Sequence, residues 1–204
     1  MKIFSMDNKL HQSALKLVKL FYLSFLMIIM SVPLVTLGTA FSAGYYTYHK
    51  IYYCDDERSL ARLYFASFKE NFRETVGVSA TILVLMGILY INFQAAAKGL
   101  LFFSGLKFVF LLLLILLAVF GLYYFSLAAR FTNDVKSRLI ATLSTALLNL
   151  PITLFLFVLV VAGYFCVTII PITFLIAPAV LVMLDHGFCE KVFRFYESAQ
   201  QEGI

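Results

Sequence analysis

The sequence predicts an all-α, polytopic membrane protein of six transmembrane helices with amphipathic cytoplasmic helices between them, and three observations carry that prediction. The first is composition: 62% of the 204 residues are hydrophobic and 13% charged, with a mean hydropathy of +0.94, more apolar surface than a soluble domain of this length buries. The second is run length. A helix rising about 1.5 Å per residue needs about 20 residues to cross about 30 Å of hydrocarbon, and the apolar runs reach or approach that length without the alternation of barrel strands. The third is charge. With six spans drawn, fourteen of the sixteen Lys and Arg residues share one side, and only Lys98 and Lys107 lie on the other.

Taken in order, the predicted spans are 17–32, 33–53, 76–97, 106–128, 151–169 and 171–188, within one membrane domain covering 1–204. The second is apolar but contains Thr36, Gly38, Thr39, Ser42 and Gly44, so it reads either as a crossing helix or as a re-entrant or surface segment. If it does not cross, five spans result, and the N-terminal tail joins Lys98 and Lys107, which weakens the charge bias. Cytoplasmic loops retain Lys and Arg, so the bias selects six spans with both termini cytoplasmic. The sixth span contains Pro178, whose missing backbone donor predicts a kink.

Aromatic residues fit the same frame. Tyr22, Tyr45, Tyr46, Tyr48, Tyr52, Tyr53, Tyr123 and Tyr124 fall near the inner interface, and Tyr90, Phe93, Phe102 and Phe103 near the outer one, where amphipathic rings settle. The first apolar run ends in Val32-Pro33-Leu34-Val35-Thr36 rather than a small-x-small site, so it is expected to remain as an anchor.

Between the spans, 57–74 and 133–148 predict cytoplasmic interfacial helices. On a wheel, Arg58, Arg62, Lys69 and Arg73 form one stripe, beside a face of Ala61, Tyr64, Phe65, Phe68 and Phe72. Such a helix lies along a membrane with its rings in the headgroup boundary and its cations on lipid phosphate, or docks a cytoplasmic partner. Asp55, Asp56 and Glu57 precede it as acids favourable to a helix N-terminus. A parallel internal repeat is also drawn: Phe41-Ser42-Ala43 echoes Phe125-Ser126-Leu127, and Asn71 to Thr75 echoes Asn149 to Thr153, with each Asn at an expected N-cap.

The pattern Pro33-Leu34-Val35-Thr36-Leu37-Gly38, then Ala43-Gly44-Tyr45-Tyr46, then Phe65, Phe68, Lys69, Asn71, Phe72 and Arg73, resembles the signature of the YesL-like family of bacterial membrane proteins. Thr39 stands where members usually have Pro, and the first helix lacks the Trp that many carry. The resemblance covers about the first 75 residues. It implies a protein of uncharacterised function, mainly from Gram-positive bacteria, encoded beside carbohydrate-uptake and polysaccharide-degradation genes, and it supplies no catalytic residues.

Several classes are disfavoured. No Asp, Glu, Lys or Arg falls in mid-membrane, where ion-coupled carriers keep them; Asp185 lies near an inner end. No GxSxG, HExxH or P-loop occurs, so no catalytic residue and no cofactor is assigned. Nucleic-acid binding is not expected, because the +5 formal charge is already explained by orientation in the bilayer. His49, Cys54, Asp55 and Asp56 end one helix and Asp185, His186 and Cys189 another, but their spacing repeats no known ligand pattern. No metal is assigned, and the three cysteines read as unpaired thiols.

Two hypotheses follow. The chain is a transport-associated accessory or permease-like subunit that contacts the lipid bilayer or a transporter component through Arg58, Arg62, Lys69, Arg73, Phe65, Phe68 and Phe72. Alternatively it is a stand-alone small-molecule or lipid-handling protein with a cavity at Thr36, Gly38, Thr39, Ser42 and Gly44, a stripe that close helix packing also explains.

Overall fold

The computed structural model describes residues 3–54, 58–99, 105–131 and 134–201. Asp55, Asp56, Glu57, Phe102, Phe103 and Asn133 lie outside them, as do Lys2 and the side chains of Lys9, Lys191 and Arg194. The described residues form seven α-helices: α1 (Ile3–Met30), α2 (Leu37–Tyr53), α3 (Leu60–Ala97), α4 (Leu106–Arg130), α5 (Val135–Leu148), α6 (Leu150–Ile169) and α7 (Ala177–Gln201). Short 3-10 turns at Leu34–Thr36 and Pro171–Leu175 precede α2 and α7. The all-α class therefore stands, with no strand among the described residues. Three helices, α3, α4 and α6, are long and apolar enough to cross a membrane.

Burial is polarised. The core gathers where α2 and α4 end and α3 begins, around Tyr45, Tyr64, Tyr123, Tyr124 and Leu127, with Val182 and Cys189 from α7. The opposite ends of α3, α4 and α6 show apolar side chains outward, among them Ile88, Ile91, Phe108, Leu112, Phe165 and Ile169. In water these faces would drive aggregation; in hydrocarbon they are the solvated surface.

The structure joins two segments that the sequence divides. From residue 60 on, the amphipathic stretch and the span 76–97 are one unbroken helix, α3, about 57 Å long at about 1.5 Å per residue. Asn71 accordingly caps nothing: its Nδ2 donates to Ser67 Oγ one turn back, and its carbonyl accepts from Thr75 Oγ1. The echoing segment does break, at Asn149. There Pro151 stands where the first copy has Arg73; it lacks an N–H and its ring crowds the carbonyl four residues back, so α5 ends and α6 begins. Asn149 occupies the N-cap position of α6, yet its side chain donates backward to the Thr145 carbonyl at 3.1 Å rather than capping.

A second difference concerns depth. Gly38 N–H donates to Ser79 Oγ at 3.1 Å, and the Thr39 and Thr75 hydroxyls pair at 2.8 Å. Two consecutive spans at 33–53 and 76–97 would place the start of the first beside the end of the second. Instead the start of α2 lies beside the junction of the two halves of α3, and α2 runs along the amphipathic half. Pro178 also departs from expectation. It sits in the first turn of α7, where a missing N–H leaves no intrahelical bond unmade, so no kink arises from it.

Candidate functional site

At the two glycines among the five small or polar residues assigned to a cavity, the space beside the backbone is filled by protein. A Cβ on Gly38 would stand 2.1 Å from Cζ of Phe125, and one on Gly44 would stand 2.6 Å from Sδ of Met27. Thr36, Thr39 and Ser42 are buried; Thr36 Oγ1 donates to the Pro33 carbonyl at 2.7 Å, which fixes the turn into α2. Two apolar clefts among the described residues, about 400 Å³ and about 460 Å³, lie elsewhere: one between α6, the second 3-10 turn and α7, the other between α3, α4 and α6.

The basic-aromatic stripe survives as a surface. Arg58, Arg62, Lys69 and Arg73 are exposed, as are Phe65 and Phe72, whereas Phe68 turns into the core. Helix α5 is pinned beside it by a pair that sequence reading missed. Arg138 is buried to 1% exposure and donates through Nη2 to Glu74 Oε2 of α3. A guanidinium is kept inside protein only where a carboxylate and hydrogen bonds compensate its lost hydration.

The densest polar chemistry lies at the end of the bundle where the core gathers. α2 supplies His49, α4 ends on Arg130, and α7 supplies His186 and Glu190, four residues apart and hence on one helix face. His49 Nδ1 and His186 Nε2 are 2.8 Å apart. Glu190 Oε2 lies 3.5 Å from His186 Nε2 and 3.8 Å from His49 Nδ1. Arg130 bridges the group, Nη1 at 2.7 Å from His49 Nε2 and Nη2 donating to Glu190 Oε1 at 2.9 Å. His49, His186 and Glu190 are all buried. Tyr53 covers the His186 ring at 4.5 Å between centroids, with Tyr45 and Tyr48 at 5.1 and 5.3 Å.

Of the polar residues noted at these helix ends, His49 and His186 meet directly, and Cys54 Sγ lies 3.5 Å from His49 Nε2. Asp185 and Cys189 form an adjoining pair instead: Asp185 accepts from Ser126 Oγ through Oδ2 and from Cys189 Sγ through Oδ1, the latter at 3.3 Å. Glu190 and Arg130 were missed as site residues. The sequence signal was present in His186-x-x-x-Glu190, an i, i+4 pair of ligand-type side chains closing an apolar helix.

These features define a class: a helical membrane protein whose buried ionisable groups are collected at one end of the bundle. Residues 20–93, from the last third of α1 through α2 and most of α3, match the family model described as "Protein of unknown function, DUF624". No curated protein and no solved structure matches the chain.

Proposed function

We propose that the chain is a non-enzymatic, multi-pass subunit, accessory or permease-like, of a solute-uptake system, with carbohydrate the solute class implied by the YesL-like resemblance. The observation that carries the reading is the two-helix platform of α3 and α5, locked by Arg138 and Glu74 and presenting Arg62 outward, with exposed Arg58 just before the first turn of α3. Its occupant is an acidic face of a transporter component. Distance along α3 separates this role from lipid binding. Lys69 and Arg73 lie within about 10 Å of the apolar half, at headgroup depth, whereas Arg62 is about 20 Å away along the helix, beyond a headgroup layer of several Å.

The topology that accompanies this reading has four crossings: α3, α4, α6 and the turn-plus-helix ending in α7. The α1–α2 hairpin enters from the cytoplasmic face without crossing. Two observations support it: the bonds from Gly38 and Thr39 to Ser79 and Thr75, and an exposed apolar hairpin tip of Val32, Leu34 and Val35. The hairpin starts and ends on one side whether or not it crosses, so the fourteen-to-two charge split and both cytoplasmic termini are the same for four spans as for six.

The test is co-purification from mild detergent together with solute uptake in cells. Arg58→Glu with Arg62→Glu is expected to abolish both partner recovery and uptake; Lys69→Glu with Arg73→Glu is expected to lower binding to anionic vesicles while sparing the partner. Loss of vesicle binding alone in both variants would leave lipid as the stripe's only ligand and defeat the docking role. The stand-alone lipid-handling reading is favoured by the apolar cleft lined by Leu159, Gly163, Ile176 and Val180, which suits an acyl chain. Native mass spectrometry that finds a bound lipid lost on Gly163→Phe would support it.

A further inference from the structure

His49, His186 and Glu190 come from two helices that are 137 residues apart at the point where the imidazoles meet, and the three nearest ligand-type atoms form a compact triangle. Its edges are 2.8, 3.5 and 3.8 Å. An ion about 2.1 Å from each of three nitrogen or oxygen donors in a tetrahedral shell has donors about 3.4 Å apart and stands about 0.7 Å above their plane. The edges scatter around that spacing, and a point about 2.1 Å from all three atoms lies about 0.7 Å off their plane. We propose that His49 Nδ1, His186 Nε2 and Glu190 Oε2 are the three protein ligands of a divalent first-row transition metal, with the fourth position open.

The surrounding residues give the ligands their orientation. Arg130 Nη2 holds Glu190 Oε1 at 2.9 Å, which leaves Oε2 for the ion, and outer contacts of this kind set ligand direction in metal centres. Tyr45, Tyr48 and Tyr53 surround the His186 ring and keep water from it. Two imidazoles with one carboxylate suit zinc, cobalt, nickel or iron rather than magnesium or calcium, which prefer oxygen throughout.

Loading involves a defined rearrangement. Guanidinium only donates, so the contact of Arg130 Nη1 with His49 Nε2 assigns the proton of neutral His49 to Nδ1, which donates to His186 Nε2. An ion on Nδ1 moves that proton to Nε2. Arg130 Nη1 then turns away while Nη2 keeps Glu190, and Cys54 Sγ, 3.5 Å from Nε2, is placed to accept the new N–H. Neither histidine loses its single proton, so the step needs no external base. The charge of the ion is opposed by Arg130 and balanced by Glu190.

The experiment uses the full chain, purified in mild detergent without a histidine tag and stripped with a chelator. Equilibrium dialysis against zinc with elemental analysis is expected to give about one ion per chain, and cobalt loading the intense visible bands of a four-coordinate centre. His49→Ala, His186→Ala and the near-isosteric Glu190→Gln are each expected to weaken binding at least tenfold. His11→Ala and Cys166→Ser retain the ion. Should an alanine variant misfold by circular dichroism or gel filtration, Glu190→Gln and the cobalt spectrum of the native chain decide. Substoichiometric zinc in the native chain, or an ion retained by folded His186→Ala or Glu190→Gln, overturns the site.

Discussion

A single methyl group on Gly38 is expected to cost more than any other alanine substitution at a helical glycine. Alanine is the better helix former by up to about 1 kcal/mol, so the comparison must remove that gain. Gly77 and Gly87 provide the reference, because a Cβ at either meets nothing within 4 Å, and their alanine variants should be neutral or stabilised by about 0.5–1 kcal/mol. At Gly38 the new carbon would stand 2.1, 2.2 and 2.7 Å from three atoms of the Phe125 ring, where ordinary carbon contacts are about 3.5–4.0 Å. The ring must therefore retreat by about 1.5 Å to restore that spacing. It is buried and packed edge-on against Tyr124 at 5.4 Å between centroids, so retreat disturbs a second aromatic.

Overpacking of this kind costs about 1–3 kcal/mol, and since the propensity gain is common to both variants, Gly38→Ala should lie about 1–3 kcal/mol below Gly87→Ala. For a chain of this size the gap corresponds to about 2–12 °C in thermal midpoint. Gly44→Ala should fall between them, since its obstacle is the flexible end of Met27. Thermal unfolding in detergent, followed by fluorescence or by size-exclusion recovery, reads the order. Phe125→Leu should restore part of the loss in the Gly38→Ala background, as coupled neighbours do. A Gly38→Ala chain as stable as Gly87→Ala, or no coupling to position 125, would refute the close-packing argument.

Other perturbations have sharper topological or local readouts. On the proposed four-crossing topology, Val32→Cys in a cysteine-free background should resist a membrane-impermeant thiol reagent applied to intact cells; labelling from outside would favour a crossing α1–α2 pair. Of the native thiols, Cys54 is exposed and Cys189 fully buried against Asp185, so after permeabilisation Cys54 should react and Cys189 should not, measured by mass shift after digestion. Glu74→Gln removes the carboxylate from buried Arg138 and should destabilise by about 1–2 kcal/mol, discounted because Glu74 is half exposed; early proteolytic cleavage in α5 is the check. Thr39→Val should cost only about 0.6 kcal/mol, the mean for a hydrogen bond between membrane helices, and a thermal shift larger than that of Gly38→Ala would reverse the assigned ranking of packing over hydroxyl pairing.

The helical class and the positions of most helices were legible because hydrophobic run length is a local property. What remained hidden was relational. The junction of α3 looked like a boundary because charge density changes at Val76, yet backbone continuity depends on whether a helix breaker is present, and Arg73 is none. Pro151 in the echoing position is one. Charge bias is blind to the number of crossings, since a hairpin that returns to its own side leaves every loop where it was. The meeting of His49 with His186 depends on how α2 packs on α7, which no local pattern encodes. Arg130 was legible only as an orienting charge, although its position at the end of α4 is what aims it at His49 and Glu190. The small residues from Gly38 to Gly44 have two physical uses, close approach or open space, and only the position of Phe125 and Met27 distinguishes them.

The continuity of α3 has a mechanical consequence. A helix without a hinge between its basic half and its apolar half behaves as a lever about 57 Å long, pivoting where Thr75 and Ser79 are tied to α2. A pull on Arg62 cannot be absorbed locally. A tilt of about 10° would move the far end several Å sideways, so that displacement of the basic end is delivered to the apolar end as displacement rather than as strain.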